Sequence, residues 1–242
     1  NKNRIRKKGI VAGAVVNVAG TGSSGCIRCA EGQQVLITEE NNNGRNESKV
    51  AETQNSRIRK IVISTGVVTT FAGSSAGYLD HTTGTSAKFN RPFGITTDGT
   101  NLYVADSVNQ RIRKIVISTG AVTTLAGTGS ACNSNISTGC DNPTGTSASF
   151  NVPYGITTDG TNLYVADTEN HRIRKIVIDN GTVTTLAGTG SACISNCDNA
   201  TGTSAGFNDP KKITTDGSNL YVAEYVMHRI DRKSTRLNSS HW

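Results

Sequence analysis

The string Arg-Ile-Arg-Lys begins at Arg4, Arg57, Arg111 and Arg172, and Arg229-Ile230 begins it again. Successive copies lie 53, 54, 61 and 57 residues apart. Self-similarity at such a period points to stacked units, each too small to bury its apolar face alone. A unit of this length holds about four strands of five or six residues with their turns. Four strands per unit is the blade of a propeller. The expected fold is therefore all-β, a β-propeller fragment of about four four-stranded blades, the first and last incomplete, with the ring unclosed.

One unit shows how the strands are cut. Phe93 to Asp98 alternates as a short strand, and Asp98-Gly99 closes it with a hairpin signal, because both residues tolerate positive φ. Leu102 to Ala105 follows as the second strand, Arg111 to Ile117 as the third and Val122 to Leu125 as the fourth. Tyr154 to Leu186 repeats the scheme nearly letter for letter. Tyr103, Val104, Ile115 and Leu125 should be covered on both faces by stacked blades. Gly94 and Gly155 open inner strands, where neighbouring backbones crowd and a missing side chain is favoured. No apolar run approaches the roughly 18 residues of a membrane helix.

The unit resembles the NHL repeat. The matching residues are Pro92-Phe93-Gly94-Ile95, Leu102-Tyr103-Val104-Ala105-Asp106, Asn109 and Arg111-Ile112. They recur as Pro153-Tyr154-Gly155-Ile156, Leu163-Tyr164-Val165-Ala166-Asp167, Asn170 and Arg172-Ile173. The resemblance implies a ring, commonly of six blades, so this chain reads as part of a longer protein. Blades cut from their ring leave open sheet edges, and low stability in isolation is expected.

Two stretches break the pattern. Shifting the frame by one base across Asn42 to Ser48 can yield Thr-Thr-Glu-Gly-Thr-Asn-Leu, the counterpart of Thr96 to Leu102, so residues 39–49 read as frameshifted. Residues 231–241 are similar to a translated sequencing adapter, and the break falls inside the repeated arginine string. The division expected is thus blades over 1–230 and a non-native tail over 231–242. Three cations and one acid of that tail account for +2 of the formal +7, leaving +5. Most remaining cations fall at one recurring strand position, as a solvated surface spread around the molecule would have them, which argues against a nucleic-acid stripe.

Asp106, Asn109 and Arg111 could form a site, but Asp167, Asn170 and Arg172 repeat them. A catalytic set is normally single, whereas a turn brace is needed in every blade, with Asx side chains holding the turn and Arg paired to the carboxylate. His171 and His228 occupy the position of Gln110 in successive blades and are the candidate metal ligands, though zinc needs three or four. The cysteines fall in pairs in the loops after fourth strands: Cys26/Cys29, Cys132/Cys140 and Cys193/Cys197. Their intervals vary, which suits local disulfides better than a metal site, and pairing within each loop uses all six. Disulfides persist in oxidising compartments, so the expected location is extracellular or periplasmic. Gly73 to Gly77 matches G-x-S-x-G but lacks the helix a nucleophile elbow requires. Asn135, Asn180 and Asn199 begin glycosylation acceptor triplets.

No unique acid, base or nucleophile stands out, and the loops vary while the strands repeat. The function expected is a non-catalytic extracytoplasmic module binding a protein, peptide or glycan, with no cofactor. The resemblance also implies two alternatives. One is a metal-dependent lyase or lactonase-like enzyme drawing on His171, His228 and nearby Glu224 or Asp167. The other is RNA binding through Arg111, Arg113, Lys114, Arg172, Arg174 and Lys175.

Overall fold

Each repeated unit folds as an antiparallel meander, every strand pairing with its neighbours in sequence. The computed structural model describes residues 5–8, 15–19, 35–37, 47–132, 140–199, 201–225 and 230–234. Blade I is the pair β1 (Ile5–Lys8) and β2 (Val15–Ala19). Blade II comprises β3 (Val35–Ile37), β4 (Glu47–Glu52), β5 (Arg57–Val62) and β6 (Val68–Ala72). Blade III comprises β7 (Pro92–Thr97), β8 (Asn101–Asp106), β9 (Arg111–Val116) and β10 (Val122–Ala126). Blade IV repeats it with β11 (Pro153–Thr158), β12 (Asn162–Asp167), β13 (Arg172–Val177) and β14 (Val183–Ala187). Blade V has β15 (Pro210–Thr215), β16 (Asn219–Glu224) and β17 (Ile230–Ser234). Three whole blades thus stand between two partial ones, and no sheet closes on itself among the described residues.

Blades stack through their first strands: β7 packs on β11 and β11 on β15, with β3 and β4 against β7. Three apolar clusters fill the joints. One joins Tyr103, Ala105 and Ile112 of blade III to Ile156, Leu163 and Val165 of blade IV. The others occupy the joints between blades II and III and between blades IV and V. Tyr103, Val104 and Ile115 are fully buried, whereas Leu125 on the outermost strand is only partly covered. The fourth strand lies at the rim, where one face meets solvent. Gly94 behaves as expected, since a Cβ there would collide with the Tyr154 carbonyl of the next inner strand.

The turn after β7 differs from the sequence reading. Gly99 alone takes positive φ (88°); Asp98 does not. The Asp98 carboxylate instead accepts the Thr100 N–H at 2.8 Å, the Asn101 N–H at 2.6 Å and the Tyr103 hydroxyl at 2.7 Å. The side chain of Asp98 therefore shapes the turn, and only one residue needs the left-handed conformation.

Residues 39–46 of the stretch read as frameshifted lie outside the described residues. Its end begins β4, whose register matches the sister blades: Glu52 faces Arg57 as Asp106 faces Arg111. Ser48 and Lys49 thereby occupy the core places of Leu102 and Tyr103, at 5% and 3% exposure. Buried Lys49 is held by Glu47 at 3.0 Å and lies 5.2 Å over the Phe71 ring. Residues 231–234 complete β17, with Asp231 opposite Val222. Its ladder to β16 is made by backbone groups.

Candidate binding face

The turn between the second and third strands of each blade carries the residues singled out by the repeat. In blade III, Asn109 Nδ2 donates to Asp106 at 2.8 Å, and the Asn90 N–H reaches the other carboxylate oxygen at 2.7 Å. Blade IV matches: Asn170 Nδ2 to Asp167 at 2.9 Å, Asn151 N–H at 2.7 Å. Burial pushes both carboxyls up, against the opposing pull of these donors and an arginine.

That arginine is Arg113, and in blade IV Arg174; the expectation of Arg111 and Arg172 is corrected. Arg113 Nη1 meets Asp106 at 2.8 Å and Arg174 Nη1 meets Asp167 at 2.8 Å, all four side chains fully buried. Asp106 lies opposite Arg111 in the ladder, but the long guanidinium two residues on reaches it diagonally across the same face. Arg111 is drawn elsewhere, donating to the Asn109 and Thr128 carbonyls at 3.0 and 2.7 Å and stacking 3.8 Å over Tyr78. Arg172 likewise donates to the Thr189 carbonyl at 3.2 Å.

A second carboxylate completes each arginine from the connector preceding the blade. Asp80 pairs with Arg113 and accepts the Thr124 N–H of β10 at 3.0 Å. Asp141 pairs with Arg174 and accepts the Thr185 N–H of β14 at 3.0 Å. One arginine thus ties the second strand, the connector and, through the connector, the fourth strand.

Consecutive blades are latched by the residue after the brace carboxylate. Thr53 Oγ1 donates to the Pro92 carbonyl at 2.8 Å, Ser107 Oγ to that of Pro153, and Thr168 Oγ1 to that of Pro210 at 2.7 Å. The next blade also receives an acceptor: Gln110 Oε1 takes the Val152 N–H at 2.6 Å and His171 Nδ1 the Asp209 N–H at 3.2 Å. His171 therefore does at its position what Gln110 does, and one ring nitrogen is committed to the joint. His228 lies outside the described residues. Among the described residues no three His, Cys, Asp or Glu side chains gather as a metal site.

The connectors share this face. Cys132 pairs with Cys140 and Cys193 with Cys197, Cα atoms 5.8 Å apart in each. Cys26 and Cys29 lie outside the described residues, as does Asn135. The G-x-S-x-G stretch sits in a connector, where Ala76 bridges to Phe89.

Beside the latches runs a row that sequence reasoning missed. The residue after each inner-strand proline is Phe93, Tyr154 and Lys211 in turn. The Phe93 and Tyr154 rings stack with centroids 3.9 Å apart. Lys211 Nζ lies 5.5 Å from the Tyr154 centroid and 4.1 Å from that of Tyr225. All are partly or fully exposed, Tyr225 at 64%. The available signal was variation within the repeat: the position after the recurring proline carries a different large side chain in each of these three blades.

A family model described as the teneurin NHL domain matches residues 45–177, more than half of the chain. NHL repeat-containing protein 2 of Gallus gallus is 34% identical over 141 residues, 54% of this chain and 19% of that protein. Its Homo sapiens counterpart is 33% identical over 152 residues, covering 60% and 21%. The chain thus spans about a fifth of the length of these curated relatives. Among solved structures, a Bacteroides thetaiotaomicron protein of unknown function aligns with TM-score 0.58 at 23% identity, over 78% of this chain and 44% of that one. An auxiliary nutrient binding protein of the same organism aligns with TM-score 0.57 at 19% identity, over 78% and 46%. At these identities the likeness shows the fold. With the family match and the repeated geometry in agreement, the chain belongs to the teneurin NHL domain family of NHL-repeat β-propellers.

Proposed function

We propose that the chain is part of a non-catalytic, extracytoplasmic propeller that binds a protein, peptide or glycan through the face bearing the connectors and inner-strand starts. One observation carries the reading. On this face the polar residues that repeat, Asp106, Asn109, Ser107, Arg113 and their blade IV counterparts, are consumed in holding the fold. The residues that differ between blades, such as Phe93, Val108, Tyr154, Glu169 and Lys211, remain partly or fully open to solvent beside them. Fixed residues that hold and variable residues that face water are the division of labour expected of a binding scaffold. The two paired connectors support an oxidising compartment.

The test is a peptide and glycan array probed with the chain and with a Phe93→Ser, Val108→Ser variant. Specific binding should be lost in the variant while its melting temperature stays near the parent's. Loss of binding from Asp106→Ala with unchanged melting would overturn the assignment of brace and binding residues. Thiol titration of the denatured, non-reduced protein should find at most two free thiols; six would end the extracytoplasmic reading.

A further inference from the structure

The two disulfides occupy matched places in their connectors, and the connector ahead of blade III, which has no cysteine, shows what those places are. In each connector an alanine bridges to the phenylalanine ahead of the inner strand: Ala76 to Phe89, Ala131 to Phe150 and Ala192 to Phe207. The next residue donates its N–H to that phenylalanine's carbonyl at 3.0 Å, and it is Gly77, Cys132 and Cys193 in turn. A second residue accepts the backbone N–H just before the phenylalanine. Leu79 takes that of Lys88 at 3.1 Å, Cys140 that of Ser149 at 3.1 Å and Cys197 that of Gly206 at 2.8 Å.

Both cysteines of each pair thus stand where Gly77 and Leu79 stand in the short connector. One residue separates Gly77 from Leu79, seven separate Cys132 from Cys140, and three separate Cys193 from Cys197. Two chain steps span at most about 7 Å, and each disulfide holds its Cα atoms 5.8 Å apart. The cysteines therefore restore, across the neck of an insertion, the spacing that the short connector has by chain length alone.

The far end of this neck feeds the brace. Asp80 follows Leu79, and Asp141 follows Cys140. The Leu79 carbonyl accepts Arg113 Nη2 at 3.0 Å, and the Cys140 carbonyl accepts Arg174 Nη2 at 2.8 Å. Each aspartate then takes the same arginine and one amide of the fourth strand, Thr124 or Thr185. In blade III two chain steps hold these acceptors in place; in blade IV the Cys132–Cys140 bond does so. Without that bond the path between the two anchored ends is eight residues long, and a longer loop costs more entropy to close.

We propose that the Cys132–Cys140 disulfide is a thiol-controlled clamp on the blade IV brace, closed when oxidised and released by a dithiol reductant. Release breaks the S–S bond, leaves both cysteines as protonated thiols and oxidises the dithiol to its own disulfide. Blade III, braced through Gly77 and Leu79, is indifferent to the same reductant. The clamp needs no ligand and goes beyond the binding-module reading.

The test follows amide exchange residue by residue in the whole chain, oxidised and then reduced with dithiothreitol. The Thr185 N–H, held by Asp141, should exchange about tenfold faster after reduction, while the Thr124 N–H, held by Asp80, changes less than about twofold. Cys132→Ser with Cys140→Ser opens this neck alone and should reproduce the Thr185 change without reductant. Replacing residues 132–140 by Gly-Tyr-Leu, the run at 77–79, should keep Thr185 slow in either condition. Equal acceleration at Thr124 and Thr185, no acceleration at Thr185, or a short-connector chain that fails to fold or to protect Thr185 would each overturn the proposal. None of these outcomes touches the array test of binding, so the two readings fail separately.

Discussion

Blades IV and V share the loop Thr-Gly-Thr-Ser-Ala and the strand Asn-Leu-Tyr-Val-Ala, yet they differ in how they are held. In blade IV, Arg174 sits between Asp167 and Asp141 and also donates to the Cys140 and Ser149 carbonyls. In blade V, Glu224 takes the place of Asp167 and accepts the Asn208 N–H, but Asp231 occupies the ladder position of Arg174. The far turn is untouched: Asp216 accepts the Ser218 and Asn219 N–H groups at 2.9 and 2.7 Å, as Asp159 does in blade IV. The repeat is thus three separable devices, a turn, a brace and a latch. Blade V keeps the first, carries Asp231 at the ladder position of the brace arginine, and has Tyr225 where the latch hydroxyl stands in the other blades.

The comparison breaks most visibly if the intact brace is removed. Arg174→Ala strands buried Asp167 without its cation and should cost about 3–5 kcal/mol in urea denaturation of the whole chain. A loss below about 1 kcal/mol would mean that the arginine is not what holds the blade. The same logic extends to blade II. If residues 39–49 are frameshifted, Ser48→Leu with Lys49→Tyr returns apolar side chains to core places and should stabilise the chain by about 3 kcal/mol. Unchanged stability would count against that origin of the stretch.

Repairing blade V is the next smaller effect. Asp231→Arg restores the arginine that the sister blades carry at this ladder position and should gain about 2 kcal/mol and slow amide exchange across β16 and β17. No gain in protection would show that position 231 does not mark a break in the repeat. Thr168→Val removes the latch to Pro210 and should cost about 1 kcal/mol. Ser107→Ala is its check in blade III, and a null result in both would reduce the latch to a contact.

The smallest effect is an acid limb from the turns. Burial works to raise the Asp98 and Asp159 carboxyls, but donors from Tyr103 or Tyr164 and from the turn backbone outweigh it and hold both below the usual range. Asp216 is lowered by Asn219, the backbone of Ser218 and Tyr221. A folded pKa below the unfolded value gives stability that is full above the unfolded value of about 4 and is lost as pH falls toward the folded one. Asp98→Asn with Asp159→Asn should flatten that limb of the stability curve. An unchanged slope below about pH 4 would show that these turns do not titrate with folding.

The sequence by itself determined the architecture. Period, strand order and strand bounds within a residue or two all follow from local alternation and turn chemistry, which neighbours along the chain decide. It also marked Asp106 and Asn109, because two residues three positions apart in one turn can find each other without help from the fold. Which arginine closes the brace was settled only by tertiary structure. Arg111 and Arg113 share a strand face, and the choice depends on a diagonal reach and on Asp80, 33 residues earlier, arriving from a connector. The latches and the row from Phe93 to Lys211 were hidden for the same reason. They join residues some 40 to 60 positions apart that meet only because blades stack side by side. A repeat in sequence announces what each blade must do alone; what passes between blades exists only once they are packed.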